Sequence, residues 1–357
     1  MNIANEVRPG GNRYVSYEGS VKELADYLKP FKKIAFVTGK KSFKIFSDYY
    51  QKEIDNVFYY DGTASYEDGE RLSNLIGEAD VVVGIGGGRV LDTAKITADN
   101  LKAETVLVPT LISNCAPFAP VAAVYYPNRS FRGVGYFEKS AYLTLVDPTL
   151  LLTTPEDYFV AGIGDTLAKW YEIEGILRFL NDEEKTAYIR LAVSSAKMIK
   201  ELLLEDAEQG IEDLKNQQVT PAFIRLTDTI IALAAEVGGF GGIYGRSAGA
   251  HALHDGLSYL EETHEELHGK KVAYGILVQL AYTGDLGEIV TLLPFYDKVG
   301  LPTKLAELNV SNTGFDYLVP VLNHAVSPEE SFVLLDSSIT PEKLYEAIVK
   351  VESLGNK

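Results

Sequence analysis

Cysteine is nearly missing from this 357-residue chain, in which Cys115 stands alone. One thiol cannot close an intramolecular disulfide, so the fold must rest on its core, and the cytoplasm is the expected compartment. Basic residues are also in deficit, 33 against 50 acids, for a net charge of −17. Neutralising a phosphate backbone requires an excess of Lys and Arg, so no nucleic-acid partner is expected. No apolar run reaches the roughly 20 residues that cross a bilayer, and the opening MNIANEVRPGGNRYV lacks a secretory apolar core. No membrane partner is expected either. A repeat with a period of about 20 to 50 residues is likewise missing. What is present is enough chain, and enough apolar residues, for two domains with a core each.

The first half alternates between two periods. KKIAFVTG (32–39), VFYY (57–60), ADVVVGIGGG and TVLVPT read as strands, and SFKIFSDYYQKEI, YEDGERLSNLIGE and VLDTAKITADNL read as the helices between them. That alternation predicts parallel βαβ units covered on both faces, a Rossmann-like sheet whose ligands bind at the carboxyl ends of the strands. VAAVYY (121–126) and YLTLVDP (142–148) read as further strands around a turn-rich stretch. After TTPEDYF the pattern turns helical, as in TLAKWYEIEGILRFL, KTAYIRLAVSSAKMIKELLLE and FIRLTDTIIALAAEV. The expected organisation is therefore an α/β domain over 1–155 and an all-α domain over 156–357.

Two features carry chemistry. Gly84, Gly86, Gly87 and Gly88 lie between a strand and a helix, where glycines let backbone approach a pyrophosphate at a helix N-terminus. A ligand-free glycine turn reads the same way, and Arg89 stands where the usual dinucleotide fingerprint has a third glycine. The second is HALHDGLSYLEETHEELH, which holds His251, His254, His264 and His268. His251 and His254 share a helical face, and Gly269 after His268 would let the chain turn at the end of a helical segment. Imidazoles are common ligands of zinc-like ions, and Asp165, expected at a glycine-flanked helix start in AGIGDTLAKW, could complete a set. Solvated helix-surface histidines beside an acidic stretch are the alternative. His264 reads as solvated and His324 as structural.

Together, GIGGGRVLDTAK, VPTLIS, AGIGDTLAKWYE, GAHALHDGL and HGKKVAYGILVQL resemble the glycerol dehydrogenase branch of the iron-containing alcohol dehydrogenase superfamily, in family order over nearly the whole chain. The resemblance implies the dehydroquinate synthase-like fold, with one divalent ion between two domains on Asp165, His251 and His268. It implies a cofactor pyrophosphate against Gly86, Gly87 and Gly88, with Asp92, Thr110 and Ser113 nearby and Tyr125 beside the nicotinamide. It also implies hydride exchange between that nicotinamide and a small hydroxy compound, and a homo-oligomer. Iron-dependent members carry a fourth ligand, a histidine one turn after the aspartate; here Lys169 stands there, which favours zinc over iron. His254 is a candidate proton relay or, equally, a residue that packs behind the ligands.

Two departures from that family bear on specificity. Glycerol dehydrogenases usually carry an aspartate where this chain has Cys115, and hydroxycarboxylate dehydrogenases show a cysteine in this segment. Losing that carboxylate weakens polyol recognition and removes repulsion of an acid, so 2-hydroxy or 2-oxo acids are expected over glycerol. The first strand ends in Thr38-Gly39, followed by Lys40 and Lys41, where NAD-preferring relatives carry an acid for the ribose hydroxyls. NADP(H) is thus expected to serve beside NAD(H), unless both lysines merely solvate a loop. The remaining readings are glycerol dehydrogenase proper, a dehydroquinate synthase-like cyclising lyase, and a cofactor-binding protein without activity.

Overall fold

A run of β-branched residues buried on both faces marks the centre of a covered parallel sheet, and VVVGIG is such a run: all of β4 (Val81–Gly86) is buried. The computed structural model describes residues 6–354. Within them the chain folds as two units. One runs to Glu156 and takes in Glu212–Gly239; the other comprises Asp157–Ile211 and the chain from Phe240 onward.

The first unit is built on six parallel strands. They are β1 (Tyr14–Ser16), β2 (Ile34–Thr38), β3 (Val57–Tyr59), β4, β5 (Glu104–Pro109) and β8 (Leu143–Val146), in the order β1-β8-β5-β4-β2-β3. Alternate residues of β4 serve opposite faces. Val81, Val83 and Ile85 pack with Phe46 and Tyr50 of α1 (Lys40–Tyr50). Val82 packs with Leu72 of α2 (Tyr66–Ile76) and with Leu91 and Ala94 of α3 (Gly88–Leu101). From β2 the chain steps outward to β3, then returns to the other side of β2 as β4. That reversal opens a crevice at the carboxyl ends of β2 and β4.

β6 (Val121–Tyr125) and β7 (Phe131–Tyr136) form a separate antiparallel ribbon. β1 and β7 were not expected as strands. β1 has only three residues, too few to show a period, and β7 is interrupted by Gly133 and Gly135 with most of its side chains exposed.

The second unit is helical. Its α4 (Glu156–Leu177) is buried without interruption from Phe159 to Lys169, the pattern of a helix surrounded by others rather than one lying on a surface. α5 (Gly249–Leu257) packs against α6 (His268–Thr283) and α7 (Phe315–Ala325), and α6 packs also against α8 (Pro341–Leu354). No helix among the described residues is long and apolar enough to cross a membrane.

Candidate active site

The crevice in the sheet is lined by backbone. Gly86 ends β4, Gly87 is the extended N-cap of α3, and Gly88 is its first residue. A Cβ on Gly86 would meet Val90 at 2.7 Å, and one on Gly88 would meet the Asn114 amide at 3.0 Å. Larger residues would therefore fill the turn, while glycine leaves the helix N–H groups open to an anion. The buried Thr110 donates its N–H to the Gly86 carbonyl at 3.1 Å, seating the segment of Ser113, Asn114 and Cys115 beside the loop. Gly39 caps α1 at the end of β2, and exposed Lys40 and Lys41 occupy the first turn, which contains no acid. Tyr125 lies under the Arg89 guanidinium, 5.5 Å from ring centroid to carbon.

Asp92 is turned inward. One carboxylate oxygen pairs with Lys95 Nζ at 3.0 Å and the other accepts the Ala123 N–H at 3.1 Å. Lys95 also donates to the carbonyls of Ala116 and Val121, each at 2.7 Å. This buried pair fastens α3 to both ends of the 116–121 segment, so Asp92 holds the loop.

In the helical unit, Asp165, His251 and His268 each turn one ligand atom inward, all within 4.8 Å of one another. His251 Nε2 lies 3.3 Å and His268 Nε2 3.0 Å from Asp165 Oδ1. Among the described residues the group has three members. Lys169 is not one: it is buried, and its ammonium donates to the Arg246 carbonyl at 2.7 Å.

The outer partners fix how the rings present themselves. His251 Nδ1 lies 2.8 Å from Glu172 Oε2. Burial would raise the Glu172 carboxyl, but the charge of His251 and its hydrogen bonds hold it lowered, so it is an acceptor and the Nδ1–H must donate. His254 Nδ1 lies 2.9 Å from Asp255 Oδ1, and His254 Nε2 lies 3.0 Å from His268 Nδ1. Burial, helped by the charge of His268, pushes His254 down to about 3 and keeps it neutral. With its one proton on Nδ1 toward Asp255, its Nε2 must accept from His268. Both liganding imidazoles therefore turn their Nε2 atoms toward a carboxylate oxygen.

Three such acceptors repel one another unless a cation lies among them. Without a metal that cation is a proton. Burial lowers His251, yet the charge of Glu172 and hydrogen bonds to Asp165 and Glu172 push it up to about 10. Burial raises Asp165, yet the neighbouring imidazoles hold it well below the usual carboxylate range. A divalent ion satisfies the same demand. Tetrahedral zinc, with bonds of about 2.0–2.1 Å, sets its ligand atoms about 3.3 Å apart, and two of the present separations already lie near that value. The donor set fits.

Three local expectations need correction. Asp165 is not at a helix start: it lies inside α4, on a stretch buried all round. His268 opens α6 and does not end a helix. Gly269 makes no turn; it lies within α6 so close to α4 that a Cβ there would overlap the Ala161 carbonyl oxygen at 1.8 Å. His264 is exposed, as expected, and His324 pairs with Glu330 at 2.9 Å. Sequence reasoning overlooked Glu172. Its signal was available, because Asp165 and Glu172 are seven residues apart and lie on one face of a helix.

Residues 11–148 match the family described as iron-containing alcohol dehydrogenase. Hydroxycarboxylate dehydrogenase A of Escherichia coli is 36% identical, across 96% of this chain and 96% of that protein. A glycerol dehydrogenase of Thermotoga maritima is 32% identical across 99% and 98%. The crystal structure of glycerol dehydrogenase from Schizosaccharomyces pombe superposes with a TM-score of 0.86 over 96% of this chain and 89% of that one, at 24% identity, a likeness of fold.

Proposed function

This chain belongs to the iron-containing alcohol dehydrogenase family, and we propose that it interconverts small 2-hydroxy acids and their 2-oxo forms in preference to polyols. It is an oxidoreductase acting on CH–OH groups, and the family's working parts are a nicotinamide dinucleotide and a divalent metal. The observation that carries the metal-dependent dehydrogenase reading is the convergence of Asp165, His251 and His268 on one cation position; the preference for acids rests on the uncharged Cys115 in place of an aspartate. We assign zinc to it, because two imidazoles and one carboxylate without a fourth protein ligand make a catalytic zinc set. When bound, the ion supplies Lewis acidity at the substrate oxygen and the nicotinamide supplies a two-electron acceptor or donor.

The chain's own residues do the positioning. Asp165 provides the negative charge that makes the pocket selective for a cation. His254 holds the His268 ring through Nε2 and is itself held by Asp255, which supports its role in orienting that ligand. The loop at Gly86, Gly87 and Gly88 offers backbone N–H groups to the pyrophosphate, with Thr110 and Ser113 alongside and Tyr125 toward the nicotinamide. Lys40 and Lys41, with Gly39, are assigned to the adenosine ribose, where their charge admits a 2′-phosphate. Cys115 is assigned to the substrate side, where its lack of charge accommodates a carboxylate. A cytoplasmic homo-oligomer fits the single thiol and the family.

The test is a steady-state comparison, on zinc-loaded protein, of 2-oxobutanoate reduction with glycerol oxidation. The expected result is higher kcat/KM for the oxo acid with net consumption of NAD(P)H. A clear win for glycerol would replace this reading with glycerol dehydrogenase proper, and absence of net cofactor turnover would point to a cyclising lyase.

A further inference from the structure

We propose that Glu172 is a positioning residue that makes metal retention depend on the seating of α5, an inference that rests on the Asp165–His251–His268 reading above. Three hydrogen bonds end on this one carboxylate, which is only 2% exposed. Oε1 accepts the N–H of Ala248 at 2.7 Å and the N–H of His251 at 3.0 Å. Oε2 accepts the Nδ1–H of the His251 ring at 2.8 Å.

The first two bonds solve a problem of α5. Its N-cap is Ala248, whose side chain has no oxygen, so the orphan N–H groups of the first turn have no local partner. Glu172 supplies that cap from α4, and its charge suits the positive helix end. The third bond fixes the tautomer of a ring on that same first turn. Helix and ring therefore cannot move independently: whatever draws α5 away from Glu172 also releases the proton that keeps His251 Nε2 available as a ligand. Because Asp165 lies two turns earlier on the same face of α4, one helix carries both a ligand and the clamp on the opposing ligand.

A buried carboxylate used only as a cap would be replaceable by its amide. The ring bond makes the two inequivalent. In E172Q the amide oxygen can still accept both backbone N–H groups, but its NH2 then faces His251 Nδ1 and drives the ring proton to Nε2, the atom the ion requires. If the amide flips, NH2 faces N–H and the helix end is lost.

The experiment measures zinc Kd on metal-free full-length protein by competition with a chromophoric chelator, alongside the Tm of the same zinc-free samples. E172Q is expected to bind zinc about 10- to 100-fold more weakly, in line with losses when a ligand's hydrogen-bond partner is removed, and its zinc-free Tm should fall too, because the buried His251 ring loses its counter-charge. Q279L is the control. Gln279 Oε1 accepts the Ala250 N–H at 3.1 Å and its Nε2 donates to the Tyr171 carbonyl at 2.7 Å, so its loss loosens the same helix end while the Glu172 carboxylate still holds the His251 ring; it should lower Tm and weaken Kd far less than E172Q does. D165N should abolish binding. Wild-type Kd in E172Q overturns the proposal and leaves the triad standing, as does a loss in Q279L equal to that in E172Q. Wild-type Kd in D165N overturns both. Should E172Q not fold, E172D carries the test: a carboxylate one methylene shorter cannot span helix end and ring, and wild-type Kd with it is equally fatal.

Discussion

Substitutions at Asp165, Cys115 and the two lysines after Gly39 act through different physics and so leave different signatures. D165N keeps the size of the side chain but removes the charge around which two imidazoles converge. Bound zinc, counted by metal analysis after dialysis, should fall from one ion per chain to near none. C115D introduces an acid at the position where, by the resemblance, glycerol dehydrogenases usually have an aspartate. It should move the ratio of kcat/KM for glycerol over 2-oxobutanoate toward glycerol by about tenfold or more, the scale of a single favourable hydrogen bond to a substrate hydroxyl or a single added repulsion. K40A and K41A remove exposed charges that a 2′-phosphate would meet and a 2′-hydroxyl would not. At about 0.2–1 kcal/mol for an exposed ion pair, each should lower kcat/KM for NADPH up to about fivefold and leave NADH nearly unchanged. A strong preference for NADH in the wild type would refute the assignment. At this scale the sequence was informative where residue type limits chemistry: it singled out Asp165, His251 and His268, which converge, and the glycines at the turn from β4 into α3. Glu172 and Lys95 were not legible, because a buried charge looks like a surface charge until its partners are known.

At the scale of helices, the most consequential contact is where α4 meets α6. Gly164 and Gly269 face each other there, and a Cβ on either would press on the other helix's backbone. G269A should force the helices apart, costing about 1–3 kcal/mol or somewhat more as overpacking does, and should weaken zinc binding because Asp165 and His268 ride on the separated helices. Denaturant unfolding and zinc titration of the same samples check both effects; an unchanged zinc Kd would mean that the site adapts to the crossing. The same contact explains why local reading misplaced these residues. GIGD and HG look like helix boundaries because glycine usually interrupts a helix. Here the absent side chains allow backbone to approach backbone, and tertiary packing outweighs the local propensity. Strands with a clear apolar run, such as β4 and β5, were legible, whereas β1 and β7 depend on neighbours far along the chain.

For the molecule as a whole, the predicted ion is part of the stability of the fold. A ligand that binds only the folded state at 100 times its Kd adds about 2.7 kcal/mol. Chelation of the wild type should therefore lower Tm measurably, and re-addition of zinc should restore it. D165N should show the lower Tm from the outset and ignore the chelator; a wild-type Tm indifferent to chelation would speak against a resident metal. The change of period near residue 155 coincides with the first passage between the two units, at Glu156 and Asp157. The grouping of 212–239 with the sheet-bearing unit was not legible in the sequence, because helical periodicity does not say which core a helix joins.

The Lys95–Asp92 pair has a consequence for how such a protein can diversify. It fastens the 116–121 segment through main-chain carbonyls and an N–H, and the turn after Cys115 is likewise closed through its backbone carbonyl to Phe118 and Ala119. None of these bonds reads a side chain of residues 113 to 117. A lineage that keeps Asp92 and Lys95 therefore keeps the path of the 116–121 backbone, and one that loses either frees that backbone at both ends.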